Sequence, residues 1–125
     1  MTQQSPVIDV HAHIVFEKLH GAAGPHGPEA AVDEQGVNFF RIGEYQLKPL
    51  SYESSVFIDM ALRLEHMDRL GIDVQVLSAN PLTMFHGIDA ATATAFCQQQ
   101  NDLMALAIAE HPERLLGLGS LPMQS

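Results

Sequence analysis

The stretch Val7-Ile8-Asp9-Val10-His11-Ala12-His13 is a short apolar run rich in β-branched residues, which predicts a buried β-strand. Side chains alternate between the faces of a strand, so His11 and His13 are expected on one face, together with Asp9. Two imidazoles at this spacing can converge on one metal ion. An arbitrary His-x-His pair is more often two surface or core histidines. This pair, however, ends an N-terminal hydrophobic strand, where open α/β sheets and barrels place their chemistry, so we predict two metal ligands.

The composition is that of an ordinary globular domain, with 46% hydrophobic and 17% charged residues in a chain of 125. The net charge of -9 argues against nucleic acid and anionic membranes as partners. A single cysteine, Cys97, excludes an internal disulfide and favours a reducing compartment. Residues 1–6 lack the features of a signal peptide, and no apolar run approaches the ~18 residues of a membrane span. The sequence therefore predicts a cytoplasmic protein.

The long segment after the first strand is predicted to be mainly loop. It begins with a glycine- and proline-rich patch at residues 21–28 and continues to Tyr52, with a possible short strand at residues 38–42. A connection of this length is typical of a functional loop rather than of a linker. His20 and His26 lie within it and are predicted to be solvated rather than ligating.

The rest of the sequence alternates between helices and strands. Ser54 or Ser55 is the predicted N-cap of a helix that ends at about Leu70, before Gly71. Further predicted elements are a strand at residues 72–79, a helix from the N-cap Asp89 to about Glu110 with a core stripe of Phe96, Leu103, Leu106 and Ala107, and a strand at residues 115–121. This alternation predicts βαβ units, and therefore a parallel sheet with right-handed crossovers.

Three stretches resemble one known family. Ile8-Asp9-Val10-His11-Ala12-His13 resembles the first-strand signature of the amidohydrolase superfamily. The sequence from Lys48 to Ser78, including Met67-Asp68-Arg69-Leu70-Gly71-Ile72-Asp73, is similar to the branch that contains α-amino-β-carboxymuconate-ε-semialdehyde decarboxylase. His111-Pro112-Glu113-Arg114-Leu115-Leu116-Gly117 follows the same pattern. The resemblance covers essentially the whole chain. It implies an α/β fold, the N-terminal part, about three strands, of a TIM-like (β/α) barrel.

The resemblance also implies site residues and a cofactor. In the family the first-strand histidines bind one divalent metal, usually zinc, which carries over to His11 and His13. Lys48 stands where the decarboxylases carry an arginine that helps to hold a substrate carboxylate. Lysine keeps the charge but lacks the bidentate fork, so a solvated loop lysine is an equal alternative. Because such barrels need roughly 250 residues, the further ligands and catalytic groups are expected on strands outside residues 1–125.

The implied function is that of a zinc-dependent carboxy-lyase acting on a small carboxylate. A hydrolase of the same superfamily is the alternative, because water activated by zinc can serve either reaction. A hypothesis of another class is a non-catalytic binding or assembly module, since three barrel strands leave open edges and an uncovered face. For the isolated chain we expect no turnover, and association into homo-oligomers or aggregates.

Overall fold

The computed structural model describes residues 5–124, which form two small sheets and two main helices. The strands are β1 Ile8–Ile14, β2 Glu29–Val32, β3 Asn38–Ile42, β4 Tyr45–Leu47, β5 Val74–Ala79 and β6 Leu115–Gly117, and the helices are α1 Met60–Leu70 and α2 Ala90–Glu110. Within this part of the chain, neither helix is both long enough and apolar enough to cross a membrane.

The first sheet is parallel and has the order β1-β5-β6. Helix α1 precedes β5, and α2 connects β5 to β6, so the chain alternates between strand and helix as predicted. Both helices pack on one face of this sheet around a common core, whose buried members are Ala12, Ile14, Met67, Leu77, Met104 and Leu115. The predicted fold class, the beginning of a TIM-like barrel, is therefore confirmed.

Helix α1 begins later than predicted and ends where predicted. Its N-cap is Asp59, whose carboxylate accepts a hydrogen bond from the backbone N–H three residues on. Ser54 and Ser55 instead belong to turns, and Ser54 has a left-handed φ of 53°. Gly71 closes the helix with a φ of 68°, a conformation that glycine adopts without strain.

Helix α2 begins after Asp89, as predicted, because its carboxylate accepts a hydrogen bond from the backbone N–H of Thr92. Its buried face is only partly the predicted one. Phe96 is fully buried, but Leu106 is 62% exposed. The buried face instead includes Ala93, Cys97, Gln100 and Met104. Cys97 is packed in the core, and burial raises the pKa of its thiol.

The segment predicted as loop contains a second, antiparallel sheet with the order β2-β3-β4. The short strand predicted at residues 38–42 is confirmed as β3, whereas β2 and β4 were not predicted. Arg41 of β3 pairs with Glu29 at 2.7 Å between Nε and Oε2, and its Nη1 donates to two carbonyl oxygens. The prediction of loop at the positions of β2 and β4 was wrong because these strands are too short for a clear hydrophobic pattern.

Aromatic contacts tie the antiparallel sheet to the C-terminal ends of β1 and β5. The ring of Tyr52 lies 5.0 Å from that of the buried Phe40 and 5.1 Å from that of Phe57. The Tyr52 hydroxyl accepts a hydrogen bond from Nδ2 of Asn80, the residue that follows β5. The backbone N–H of Val15, which follows β1, donates to the Phe57 carbonyl oxygen. The second sheet is thereby fixed beside the end of the parallel sheet where barrels carry their sites.

The other face of the parallel sheet has no helix over it among residues 5–124. On β6, Leu115 and Gly117 face α2, so Leu116 and Leu118 face away, and both are exposed. Val10 of β1 is 73% exposed. Within the described chain, β1 and β6 each have one edge that pairs with no strand.

These features predict that the purified chain associates. Unpaired parallel edges and an apolar sheet face are surfaces that other copies can cover. Size-exclusion chromatography with light scattering is expected to show oligomers or aggregates whose mass rises with concentration. A monodisperse monomer that unfolds in one sharp cooperative transition would contradict this prediction.

Candidate metal centre

Strand β1 carries one extra residue relative to β5. Asp9 pairs with Gln75 and Ala12 pairs with Leu77, so three residues of β1 span two residues of β5. Asp9 therefore lies on the helix-facing side with Gln75 and Leu77. His13 pairs with Ser78 and lies on the opposite, uncovered side. The prediction that Asp9 shares the face of the histidines was wrong, because the extra residue interrupts the two-residue alternation.

The two predicted ligands are brought together at the C-terminal end of β1. The ring centroids of His11 and His13 lie 4.9 Å apart, and the ring planes are inclined by 77°. His11 is exposed and His13 is half-buried. Two imidazoles at this separation, one of them open to solvent, can offer two nitrogen ligands to one cation.

The ring of His13 is oriented by Ser78 on the neighbouring strand. The distance between Nδ1 of His13 and Oγ of Ser78 is 2.9 Å, and the same hydroxyl donates to the Ala12 carbonyl oxygen at 3.4 Å. In the tautomer that carries its proton on Nδ1, the imidazole donates to this hydroxyl, and the Nε2 lone pair is left for a metal. Ser78 was not predicted as a site residue, although its position at the end of the second parallel strand was a signal.

We expect Ser78→Ala to weaken binding of Co²⁺ by ~10–100-fold, the usual cost of removing a group that orients a ligand. The fold should persist, because Ser78 lies on the uncovered face. Isothermal titration with cobalt measures the effect, and the exposed Ser51→Ala is the matched control. Affinity that is equal in the wild type and in Ser78→Ala would show that the hydroxyl does not orient the ligand.

The Asp9 carboxylate holds backbone near the histidines. It accepts hydrogen bonds from Nε2 of Gln75 at 2.8 Å and from the backbone N–H of His11 at 3.1 Å. The bond from Gln75, and then that from His11, lower the pKa of Asp9 below its ordinary value. The carboxylate is therefore ionised at neutral pH and fixes the peptide group of His11.

The described residues fit a divalent metal as a partial ligand set. Between residues 5 and 124, no group of three or more histidine, cysteine, aspartate or glutamate side chains is placed to hold an ion. Two imidazoles are suitable nitrogen ligands for a divalent ion. His20 lies in the loop, with its ring 6.4 Å from that of Phe40. The pair of His11 and His13 is thus the candidate centre.

Lys48 is engaged within the antiparallel sheet. Its Nζ lies 2.7 Å from Oδ2 of Asp33 and 5.8 Å from the ring centroid of Phe39. The hydrogen bond from Lys48 is the main cause that lowers the pKa of Asp33. The lysine charge is therefore already paired, and its role towards a substrate carboxylate stays a prediction.

A cavity of about 290 Å³ lies between the end of β1 and the antiparallel sheet. Its lining includes Glu17, Glu53, His20 and Tyr52, and neither lysine nor arginine is among its lining residues. Two carboxylates facing one cavity repel an anion, so this cavity is not suited to hold a substrate carboxylate unaided.

The sequence is similar to that of one characterised enzyme over about half of the chain. No family model matches it. The 2-amino-3-carboxymuconate-6-semialdehyde decarboxylase of Dictyostelium discoideum is 38% identical over 66 residues, which are 53% of this chain and 18% of the relative. The chain thus spans less than a fifth of the length of the curated relative that it matches.

Solved structures of decarboxylases share the fold. The crystal structure of 2,6-dihydroxybenzoate decarboxylase complexed with 2,6-dihydroxybenzoate matches with a TM-score of 0.53 and 31% identity, over 55% of this chain and 22% of that one. The dihydroxybenzoic acid decarboxylase of Polaromonas sp. JS666, with bound manganese and 2-nitroresorcinol, matches with a TM-score of 0.66 and 23% identity, over 98% of this chain and 32% of that one. The resemblance predicted from the sequence is therefore confirmed as a similarity: about half of the chain is similar in sequence to a 2-amino-3-carboxymuconate-6-semialdehyde decarboxylase, and the chain shares its fold with solved decarboxylases.

Proposed function

We propose that this chain supplies the histidine pair of a metal-dependent decarboxylase that acts on a small carboxylate. The observation that carries the proposal is the pairing of His11 with His13 at the C-terminal end of β1, with the His13 ring oriented by Ser78. The similarity to decarboxylases in both sequence and fold supports this reaction over hydrolysis. The relatives are much longer than this chain. The activity, the substrate and any further ligands are therefore proposed for a whole enzyme and not for this chain alone.

The chain's own residues have defined tasks in this proposal. His11 and His13 hold a divalent cation through imidazole nitrogens, Nε2 in the case of His13. Ser78 keeps the proton on Nδ1, and Asp9 fixes the peptide group of His11. When bound, the cation supplies a Lewis acid that polarises a substrate oxygen. We propose zinc because imidazole suits it, whereas the Polaromonas structure contains manganese.

A fusion protein tests the proposal. These 125 residues replace the matching part of the 2,6-dihydroxybenzoate decarboxylase, and CO₂ release from 2,6-dihydroxybenzoate is followed. We expect turnover that His13→Ala removes and His20→Ala retains. A folded fusion that binds the metal through His11 and His13 but releases no CO₂ would contradict the proposal.

The chain alone is expected to show no turnover in the same assay, with or without added zinc. Two imidazoles leave most coordination positions to water, so nothing in residues 5–124 completes the geometry around the ion. Activity that stays with the purified chain and vanishes on His11→Ala would contradict this expectation.

We also propose a cytoplasmic location, which rests on the unpaired and buried Cys97. Fluorescence microscopy of the tagged protein tests it. An extracellular or organellar signal would contradict it.

A further inference from the structure

Helix α1 buries a positive charge against the parallel sheet. Arg63 is only 4% exposed, and burial lowers the pKa of its guanidinium. Nη2 donates to the His13 carbonyl oxygen at 2.7 Å, and Nη1 donates to Oε1 of Gln75 at 2.7 Å. Nε is buried without a hydrogen-bond partner among the described residues. A buried cation with an unsatisfied donor is destabilising, so stability alone does not explain its presence.

The hydrogen bonds continue from Arg63 to the other histidine. Nε2 of Gln75 donates to Oδ2 of Asp9, and Oδ1 of Asp9 accepts from the backbone N–H of His11. One end of this network therefore holds the carbonyl of His13, and the other end holds the N–H of His11. Among the described residues, no other network of hydrogen-bonded side chains contacts the backbone of both histidines.

This network bridges the irregular part of β1. Between Asp9 and Ala12 the extra residue interrupts the pairing with β5, so His11 is paired with no residue of β5. Arg63 extends from α1 to this interruption. It donates to Gln75, which pairs with Asp9 before the extra residue, and to the His13 carbonyl oxygen after it. Without the network, His11 would lack the contacts that keep its peptide group in place relative to His13.

We propose that Arg63, acting through Gln75 and Asp9, is a positioning residue that holds His11 and His13 in the arrangement that binds one divalent cation. This inference rests on the proposed function of the histidine pair. Arg63 does not touch the cation or a substrate in this role. A purely structural role, in which Arg63 only fastens α1 to the sheet, predicts a loss of stability without a specific loss of metal affinity.

Three variants of the full chain separate these roles. Arg63→Met removes the guanidinium and keeps an apolar stem, and Gln75→Leu removes the bridging amide and keeps its volume. Gln100→Leu is the matched control, because Gln100 is 2% exposed and bonds to Thr83 and Ser120, away from β1. Cobalt titration gives the affinity, urea unfolding gives the stability, and amide hydrogen exchange of His11 is measured without metal.

We expect Arg63→Met and Gln75→Leu to weaken cobalt binding by ~10–100-fold, as for other groups that support metal ligands. The His11 amide should exchange faster in both variants, whereas Gln100→Leu should change neither quantity. Unchanged affinity in folded Arg63→Met, or equal weakening in all three variants, would overturn the inference. If Arg63→Met does not fold, Gln75→Leu decides by the same criteria.

Cobalt titration of the wild type and of the variants distinguishes a wrong metal site from a wrong positioning role of Arg63. If the wild type shows no cobalt binding that depends on His11 and His13, the metal site itself is wrong, and the inference falls with it. If the wild type binds cobalt through both histidines and the Arg63→Met and Gln75→Leu variants bind equally well, only the positioning role is wrong.

Discussion

His11→Ala and His13→Ala are each expected to reduce the affinity for Co²⁺ or Zn²⁺ by more than ~100-fold, beyond the usual effect of a supporting group. Each substitution leaves one imidazole, and a single neutral ligand holds a divalent ion poorly. The ring centroids lie 4.9 Å apart, so we expect both imidazoles to hold the same ion. Either substitution therefore removes one of its two ligands. Titration calorimetry and the visible spectrum of bound cobalt measure the loss.

His20→Ala is the matched control, because it removes the same side chain from the loop beside Phe40. We expect it to bind cobalt as the wild type does. Equal loss on His20→Ala would move the site into the glycine- and proline-rich loop.

Phe96→Ala is the second substitution with a large expected effect. Phe96 is fully buried, and its ring meets that of Phe85 edge to face, with the centroids 4.8 Å apart. It joins α2 to a core cluster that includes Leu19 and Ala23. Truncating a buried phenylalanine typically costs ~3–5 kcal/mol of the free energy of unfolding. We therefore expect the variant to lose most of its helical circular dichroism or to unfold at much lower urea concentration.

Leu106→Ala provides the control on the same helix. Because Leu106 is 62% exposed, its truncation should change the free energy of unfolding by only ~0.5 kcal/mol. Similar losses in both variants would contradict the packing described for α2.

The parallel sheet and the ends of the helices could be predicted because local chemistry determines them. The β-branched runs at β1 and β5 are distinct, Asp89 is a strong N-cap, and Gly71 adopts the left-handed conformation that ends α1. These signals depend on a few neighbouring residues. They can therefore be recognised in a single sequence, without knowledge of the tertiary contacts.

The antiparallel sheet could not be predicted, because its strands are stabilised by one another. β2 and β4 are only four and three residues long, and their sequences Glu-Ala-Ala-Val and Tyr-Gln-Leu carry little pattern. Their pairing with β3 buries Phe40, a contact between residues distant in sequence. The start of α1 was misplaced for a related reason, since Ser54 and Asp59 are both acceptable caps until the tertiary structure selects one.

The candidate centre was predicted in part. The spacing of His11 and His13 indicated the pair, because the two-residue period of a strand survives between them. It did not indicate the extra residue before Ala12, which moves Asp9 to the helix side. Nor did it indicate Ser78 or Arg63, which reach the histidines from a neighbouring strand and from a helix.

Paramagnetic broadening of the NMR spectrum by substoichiometric Mn²⁺ shows which side chains lie nearest to a bound cation. We expect the side-chain and amide signals of His11 and His13 to broaden first, followed by those of Ser78. The signals of His20 and His26 should stay sharp at the same manganese concentration. Broadening that begins at the loop histidines or at an acidic surface, with His11 and His13 unaffected, would contradict a metal centre at the end of β1.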